Sequence, residues 1–508
     1  MEHAPKQGRE LATLTWGVFL LLVLGVVGIS VSPPLPFMLI AGFIFALLFA
    51  FRYIYFSFYL AIALVPFLGM MVSVPTGGLL IGQPAFGGSV DVFLVEIAMF
   101  VVIAAWALRL IFYWLGRRDV NWQPQLPLFK QYLGLFFAHV FSMFSGALPD
   151  KIFTLQYSLR PVLFDYVAFV ALPVNLIRSR RRLWGALGVT VTVGMLAALS
   201  GFAAVIMPAD SSQIFGRAHP FPIFGVNVLG ENHNELAEVM VYSALFAWAM
   251  VLLAKGTRLK RILAAIAIFQ FVIGILTFTR TFWIVTFLQF AFLWFTDWRK
   301  VFKRHVPKFM LAGILLLPFV VGMIYYTGSY TALSSNETRL MLSEISWLYF
   351  WDNPIFGTGA GSFISRIGAT QIFAFEFGAP LDSHGWLQKI IFETGLLGLA
   401  ALTILAAGFV SKFRMLVSKM EKNGVAKAYF LILAGAGGAV IYQLFNTDYW
   451  TGKMWLPLGL ALAAGFVLSQ ESETQAVAES DSGTAGGLMA QGTETRSSDK
   501  GAHDILEA

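Results

Sequence analysis

The sequence contains no cysteine. Disulfides, thiol nucleophiles and cysteine-ligated zinc are therefore excluded. Charge is scarce as well: only 12% of the 508 residues are Asp, Glu, Lys or Arg, against roughly a quarter in a soluble domain. The net charge of +7 thus has no soluble surface to sit on, and nucleic-acid binding is not expected. Histidine is sparse too, with seven in the chain. His233, Glu235 and Glu238 in HNELAE lack the HExxH spacing of a zinc site, so no metal is expected there.

Apolar residues are what the chain has in abundance. They make up 58% of it, and the mean hydropathy is +0.73. A membrane span needs roughly 20 mostly apolar residues. Runs of that kind fall at 13–31, 35–50, 53–71, 91–115, 128–146, 161–177, 184–206, 236–254, 262–278, 280–296, 309–326, 386–410, 428–446 and 453–469. The expectation is an all-α polytopic integral membrane protein of about 12–14 transmembrane helices with a large, partly helical outer loop. The first run has no clean small-residue cleavage site and is followed at once by the second, unlike a signal peptide.

Basic residues orient the spans, because Lys and Arg concentrate on the cytoplasmic side. With a cytoplasmic N-terminus, the runs Arg178–Arg182, Lys255–Arg261, Arg299–Lys308 and Lys412–Lys427 all fall inside. The outer gaps keep only scattered charges such as Lys151, Arg160, Arg217, Arg339, Arg366 and Lys453. Two outer loops, near 207–235 and 327–385, are longer than a connection requires, which is a mark of function. The tail from 471 is polar and free of aromatics and is expected to be disordered on the cytoplasmic side. The chain thus divides into N-terminal spans (1–220), a region that includes the outer loop 327–385 (221–470) and the tail (471–508).

Three stretches carry candidate chemistry. PLDSHGWLQKIIFETGLLGL places His384 at an outer helix start, with Asp382 or Ser383 as a candidate cap and a helix N-terminus that favours anions. Lys389 and Glu393, four apart, read as a structural pair. LTFTRTFWIVTF places Arg280 between two apolar runs with almost no polar loop, where an arginine is either functional or snorkels to the headgroups. NETRLMLSEISWLYFWDNPIFGTGAGSF carries Arg339 and the alternating Gly357, Gly359 and Gly361, whose spacing suits a tight turn and only weakly suggests phosphate binding. Upstream, ENHNELAE places Asn232, His233 and Asn234 where they can cap a helix and contact a sugar.

Together these stretches resemble the O-antigen ligase and O-antigen polymerase superfamily of bacterial envelope proteins. The carriers are TFTRTFW, the arginine followed by DNPIFGTGAGSF, and SHGWLQKIIFETGLLGL. The likeness extends over about 225–410 and departs at Gly385, where many relatives carry a polar residue after the histidine. The resemblance implies transfer of a glycan from undecaprenyl pyrophosphate to an acceptor hydroxyl at the periplasmic face of the inner membrane. It implies that Arg280 and Arg339, with Arg217 as a third, bind the donor pyrophosphate and that His384 acts as base. Asn232, His233, Asn234 and Asp382 would contact acceptor or sugar. No cofactor is implied. The partners are the lipid-linked glycan, a glycan or lipid acceptor, membrane lipids and a chain-length regulator. The reading leans to a polymerase on span number. A ligase acting on a lipid core or protein uses the same residues, and a lipid-linked oligosaccharide flippase would also suit many spans.

Overall fold

The computed structural model describes residues 34–67, 70–75, 89–116, 124–145, 158–207, 217–222, 228–230, 232–296, 298–301, 303, 331–368, 383, 385–420, 424–446 and 452–497. Almost all of it is helical. Helix α1 (Pro34–Arg52) and helix α2 (Ile54–Leu64) are followed by a two-stranded antiparallel hairpin, β1 (Met71–Pro75) and β2 (Ser89–Phe93). Next come α3 (Leu94–Gly116), α4 (Phe129–Phe141) and a wide-turned helical segment that ends in α5 (Leu172–Leu176). The remaining elements are α6 (Arg180–Ile206), α7 (His233–Leu253), α8 (Thr257–Leu276), α9 (Arg280–Trp294), α10 (Thr331–Phe350), α11 (Trp386–Ser418), α12 (Gly424–Gln443) and α13 (Gly452–Ser497).

Among the described residues, 7 helices are long and apolar enough to cross a membrane: α3, α6, α7, α8, α11, α12 and the first part of α13. The all-α polytopic membrane fold holds, with a different partition of the apolar runs. The runs at 35–50 and 53–71 form the pair α1–α2, bent by 115° at Tyr53, which adds at most one span. Arg109 on α3 donates to the Phe51 and Arg52 carbonyls that this bend leaves without helical partners. The runs at 161–177 and 280–296 give shorter apolar helices, Tyr166–Leu176 and Arg280–Trp294. The run at 128–146 gives α4, of 13 residues. Those at 13–31 and 309–326 lie outside the described residues.

One apolar core joins elements from Ile54 to Leu468. Helix α7 packs against α6, α8 and α12, and α13 runs through the middle, with 94% of its apolar window buried. Polar side chains buried among these helices find their partners on neighbouring helices. The Gln289 amide on α9 donates to both the Val241 and Ala434 carbonyls at 3.0 Å, joining α7 and α12. Helix α13 continues beyond residue 470. There Glu471 pairs with Arg180 and Glu473 with Lys419, each at 3.0 Å.

Candidate functional site

The turn before Arg280 is built from three residues. Helix α8 ends as the Thr277 hydroxyl bonds back to the Gly274 carbonyl at 2.6 Å. Phe278 then takes the left-handed backbone (φ 50) and Thr279 is extended before α9 begins. A left-handed phenylalanine is strained by about 1 kcal/mol or more, so the surroundings must hold it. They do so through residues 217–218. The Ala218 N–H donates to the Leu276 carbonyl at 3.0 Å, and the Arg217 guanidinium donates to the Thr277 carbonyl. Arg217 and the exposed Arg280 are thereby fixed to one turn.

Helix α7 starts beside that turn. The Asn232 side chain caps it, accepting from the Asn234 N–H at 3.0 Å, which agrees with the capping read from the sequence. His233 stands close to Arg217 and His219. The Asn234 carbonyl accepts from the Tyr442 hydroxyl at 2.8 Å. Tyr442 ends α12, is fully buried, and lies within electrostatic reach of Glu238, Arg217 and Glu235, with the Thr279 side chain facing it. It also lies within reach of Arg339 on α10. Tyr442 therefore stands where α7, α12 and the Arg217 and Arg280 segments meet Arg339.

These arginines crowd one another. Burial, and then the charge of Arg280, hold the Arg339 guanidinium below its usual basicity. Its Nε is buried without a hydrogen-bond acceptor among the described residues. Burial also pulls the Arg217 pKa down to about 10, with Tyr442 acting in the opposite sense. Both remain cations at neutral pH. A cluster of half-buried guanidinium groups with an unspent donor is suited to a multiply charged anion.

A buried ion pair lies beneath it. Glu238, one turn into α7, and Lys453, at the start of α13, are both 0% exposed and sit 3.8 Å apart. The Gln443 amide donates to the same carboxylate. Sequence position suggested an isolated outer charge for Lys453. The structure buries it against a residue more than two hundred positions away.

His384 and Asp382 lie outside the described residues. Ser383 and Gly385 are buried, and a Cβ on Gly385 would come within 2.7 Å of the Leu444 carbonyl, two residues past Tyr442. The α11 cap is Gly385 and carries no capping side chain, so Ser383 does not fill the role its position suggested. Gln388 donates to Ser346 at 3.0 Å, tying the first turn of α11 to the helix that carries Arg339.

The alternating glycines do not form a phosphate cradle. Helix α11 is broken at Gly395 (φ 63, ψ −159), in a backbone region open essentially to glycine alone. The segment Asn353–Gly359 fills the break. The N–H groups of Thr358 and Gly359 donate to the Phe392 and Glu393 carbonyls at 3.0 and 2.9 Å, and those of Leu396 and Leu397 donate to Pro354 and Ile355. The Gly357 N–H donates to Asn353, and that of Ala360 to the Ser142 hydroxyl. One Glu393 carboxylate oxygen accepts the Phe363 N–H at 3.2 Å. These donors are committed within the protein.

Of the residues nominated from sequence, the structure brings Arg217, Arg280, Arg339, His233 and the Asn232–Asn234 cap to one end of the bundle. Tyr442 and the Glu238–Lys453 pair were missed as parts of it. The only signal for Tyr442 was a Tyr–Gln pair closing an apolar run, a common interfacial pattern. Among the described residues no group of three or more His, Asp and Glu side chains could hold a metal ion.

Comparison with known proteins bears on the same region. No curated protein matches the chain. Residues 262–403 match the family described as O-antigen ligase. The match takes in α8, α9, α10 and the first half of α11, hence Arg280, Arg339, the docked segment and the helix break. Over those residues the chain is similar to a family of glycan-transfer proteins, set within an all-α, multi-pass membrane fold.

Proposed function

We propose that this protein transfers a glycan from undecaprenyl pyrophosphate to an acceptor hydroxyl at the periplasmic face of a bacterial inner membrane, as an O-antigen or exopolysaccharide polymerase. The observation that carries the reading is Arg339, whose buried Nε has no acceptor among the described residues and whose charge is pressed by that of Arg280. A pyrophosphate leaving group supplies the missing acceptors and relieves the repulsion. Arg217, held on the same turn, adds a third positive charge. Preorganised cations of this kind act on charge that develops as the glycosidic bond breaks, so the reaction needs no metal.

His384 is assigned as the base that takes the acceptor proton. Its sequence neighbours Ser383 and Gly385 are buried, Gly385 against the Leu444 carbonyl past the end of α12. Direct attack of the acceptor oxygen at the anomeric carbon inverts that centre. Asn232, His233, Asn234 and Asp382 are assigned to acceptor and sugar, with the backbone of the first three presented by the α7 cap. The apolar faces between spans take the polyprenyl tail. The transfer machinery belongs to 221–470, with Arg217 contributed from the edge of the N-terminal spans. The basic helix ends, opposite Arg280, face the cytoplasm with both termini.

Span number does not separate polymerase from ligase, because the runs at 13–31 and 309–326 lie outside the described residues. The description of the matched family favours the ligase as the second reading. A strain lacking the gene, complemented with wild type, Arg339→Gln or His384→Ala, separates them. Loss of the long-chain ladder with single repeat units still exported identifies a polymerase. Full-length polymer stranded on the carrier lipid identifies a ligase. Normal glycan from both variants would refute the assigned site.

A further inference from the structure

Arg299, after α9, and Arg414, near the end of α11, lie at the end of the bundle away from Arg280. A cleft of about 650 Å³ runs along α9, α11, α12 and α13 from Trp386 at the start of α11, walled by apolar side chains that include Leu402, Phe409, Phe413 and Leu433. That volume lies within the ~300–1,000 Å³ of ordinary ligand pockets. The amide of Gln289 in its wall is spent on two carbonyls. The cleft reaches Arg414 and Ser418 near the end of α11. There it adjoins a second cavity of about 660 Å³ that shares Val417, Ser418 and Phe430 with it and holds Arg299.

Arg414, Val417 and Ser418 fall on one helix face, being three and four residues apart. Arg299 is held in place from its own side. The indole N–H of the buried Trp298 donates to the Lys427 carbonyl at 3.1 Å, which pins the turn after α9 to the start of α12. Neither guanidinium has a hydrogen bond or ion pair to a described residue. The neighbouring Lys419, by contrast, is paired with Glu473. The result is an apolar channel whose mouth carries two arginines with no partner among the described residues. That is the complement of a lipid with an anionic head and apolar chains.

We propose that this cleft binds an anionic phospholipid, its phosphate on Arg299 and Arg414 and its acyl chains along α9, α11 and α12. The lipid fills a groove that no described side chain fills and neutralises the two arginines. It contributes to the packing of α11 and α12 without entering the reaction.

The test uses the full-length protein in phosphatidylcholine vesicles doped with a photoreactive phosphatidylglycerol. The label is expected on peptides containing Phe409–Phe413 or Phe430–Leu433. Unlabelled phosphatidylglycerol should compete about thirtyfold better than phosphatidylcholine, the worth of two arginine–headgroup contacts at about 1 kcal/mol each. Arg299→Gln with Arg414→Gln should bring the ratio to about one, and the two Lys variants should retain most of it. Equal competition by the two lipids on wild type, which requires no variant to fold, overturns the proposal. Displacement of the label by undecaprenyl phosphate more readily than by phosphatidylglycerol also overturns it and gives the cleft to the donor's tail. The readout is independent of activity, so it fails or succeeds separately from the glycan-transfer reading.

Discussion

Lys453→Met offers the sharpest quantitative check on the packing beneath the arginines. Lys453 and Glu238 are both fully buried, 3.8 Å apart, with the Gln443 amide on the same carboxylate. Removing only the lysine takes the cation away from a fully buried carboxylate. Breaking a buried pair in this way costs about 3–5 kcal/mol. Replacing both partners removes two desolvation costs along with one attraction, so Glu238→Gln with Lys453→Met should be near neutral. The assay is thermal unfolding of the detergent-purified protein for wild type, each single variant and the double variant. The lysine variant should melt about 3–5 °C lower, and the double variant should recover most of that loss. The coupling energy from the cycle should reach about 2 kcal/mol or more. If the single effects simply add in the double variant, the two groups do not interact as a charged pair and the reasoning fails.

Two further outcomes follow from neighbouring features. Gly395→Ala forces a side chain into a backbone region open only to glycine, with its Cβ 2.5 Å from the Ile355 carbonyl and 2.6 Å from the Gly357 N. The segment Asn353–Gly359 should undock, and limited proteolysis there should speed up markedly while total helix content is kept; an unchanged digestion rate would contradict the docking. Because burial lowers the Arg217 pKa to about 10, its charge is present below that pH and is lost as pH rises through it. Inorganic pyrophosphate binding should therefore weaken through about pH 10 in wild type, and Arg217→Gln should bind more weakly at pH 7 and lack that step.

The sequence made the membrane class legible because composition alone excludes a soluble fold. Arg280 was legible because an arginine between two apolar runs breaks their pattern, and the Asn232 cap because its chemistry is local. Helix breaks were harder. Nothing in IIFETGLLGL distinguishes a continuous span from one interrupted at Gly395, since the groups that fill the gap lie more than thirty residues upstream. The bend at Tyr53 was hidden in the same way, its freed carbonyls being met by Arg109 from the next helix. Tyr442, Glu238 and Lys453 come from three helices, and only their packing shows that they form one network. Periodicity finds a helix's faces, but it does not say which distant residue each face meets.

The break in α11 also bears on how the protein is made. A helix that enters a bilayer with unpaired carbonyls cannot complete itself, because lipid offers no donors. The donors for Phe392 and Glu393 are Thr358 and Gly359, which leave the ribosome before α11 does. In the proposed orientation, the docking segment has already been translocated when the span that needs it arrives. Chain order and hydrogen-bond supply therefore agree, and moving residues 353–359 to a position after α11 would leave the nascent span without donors at the moment of insertion.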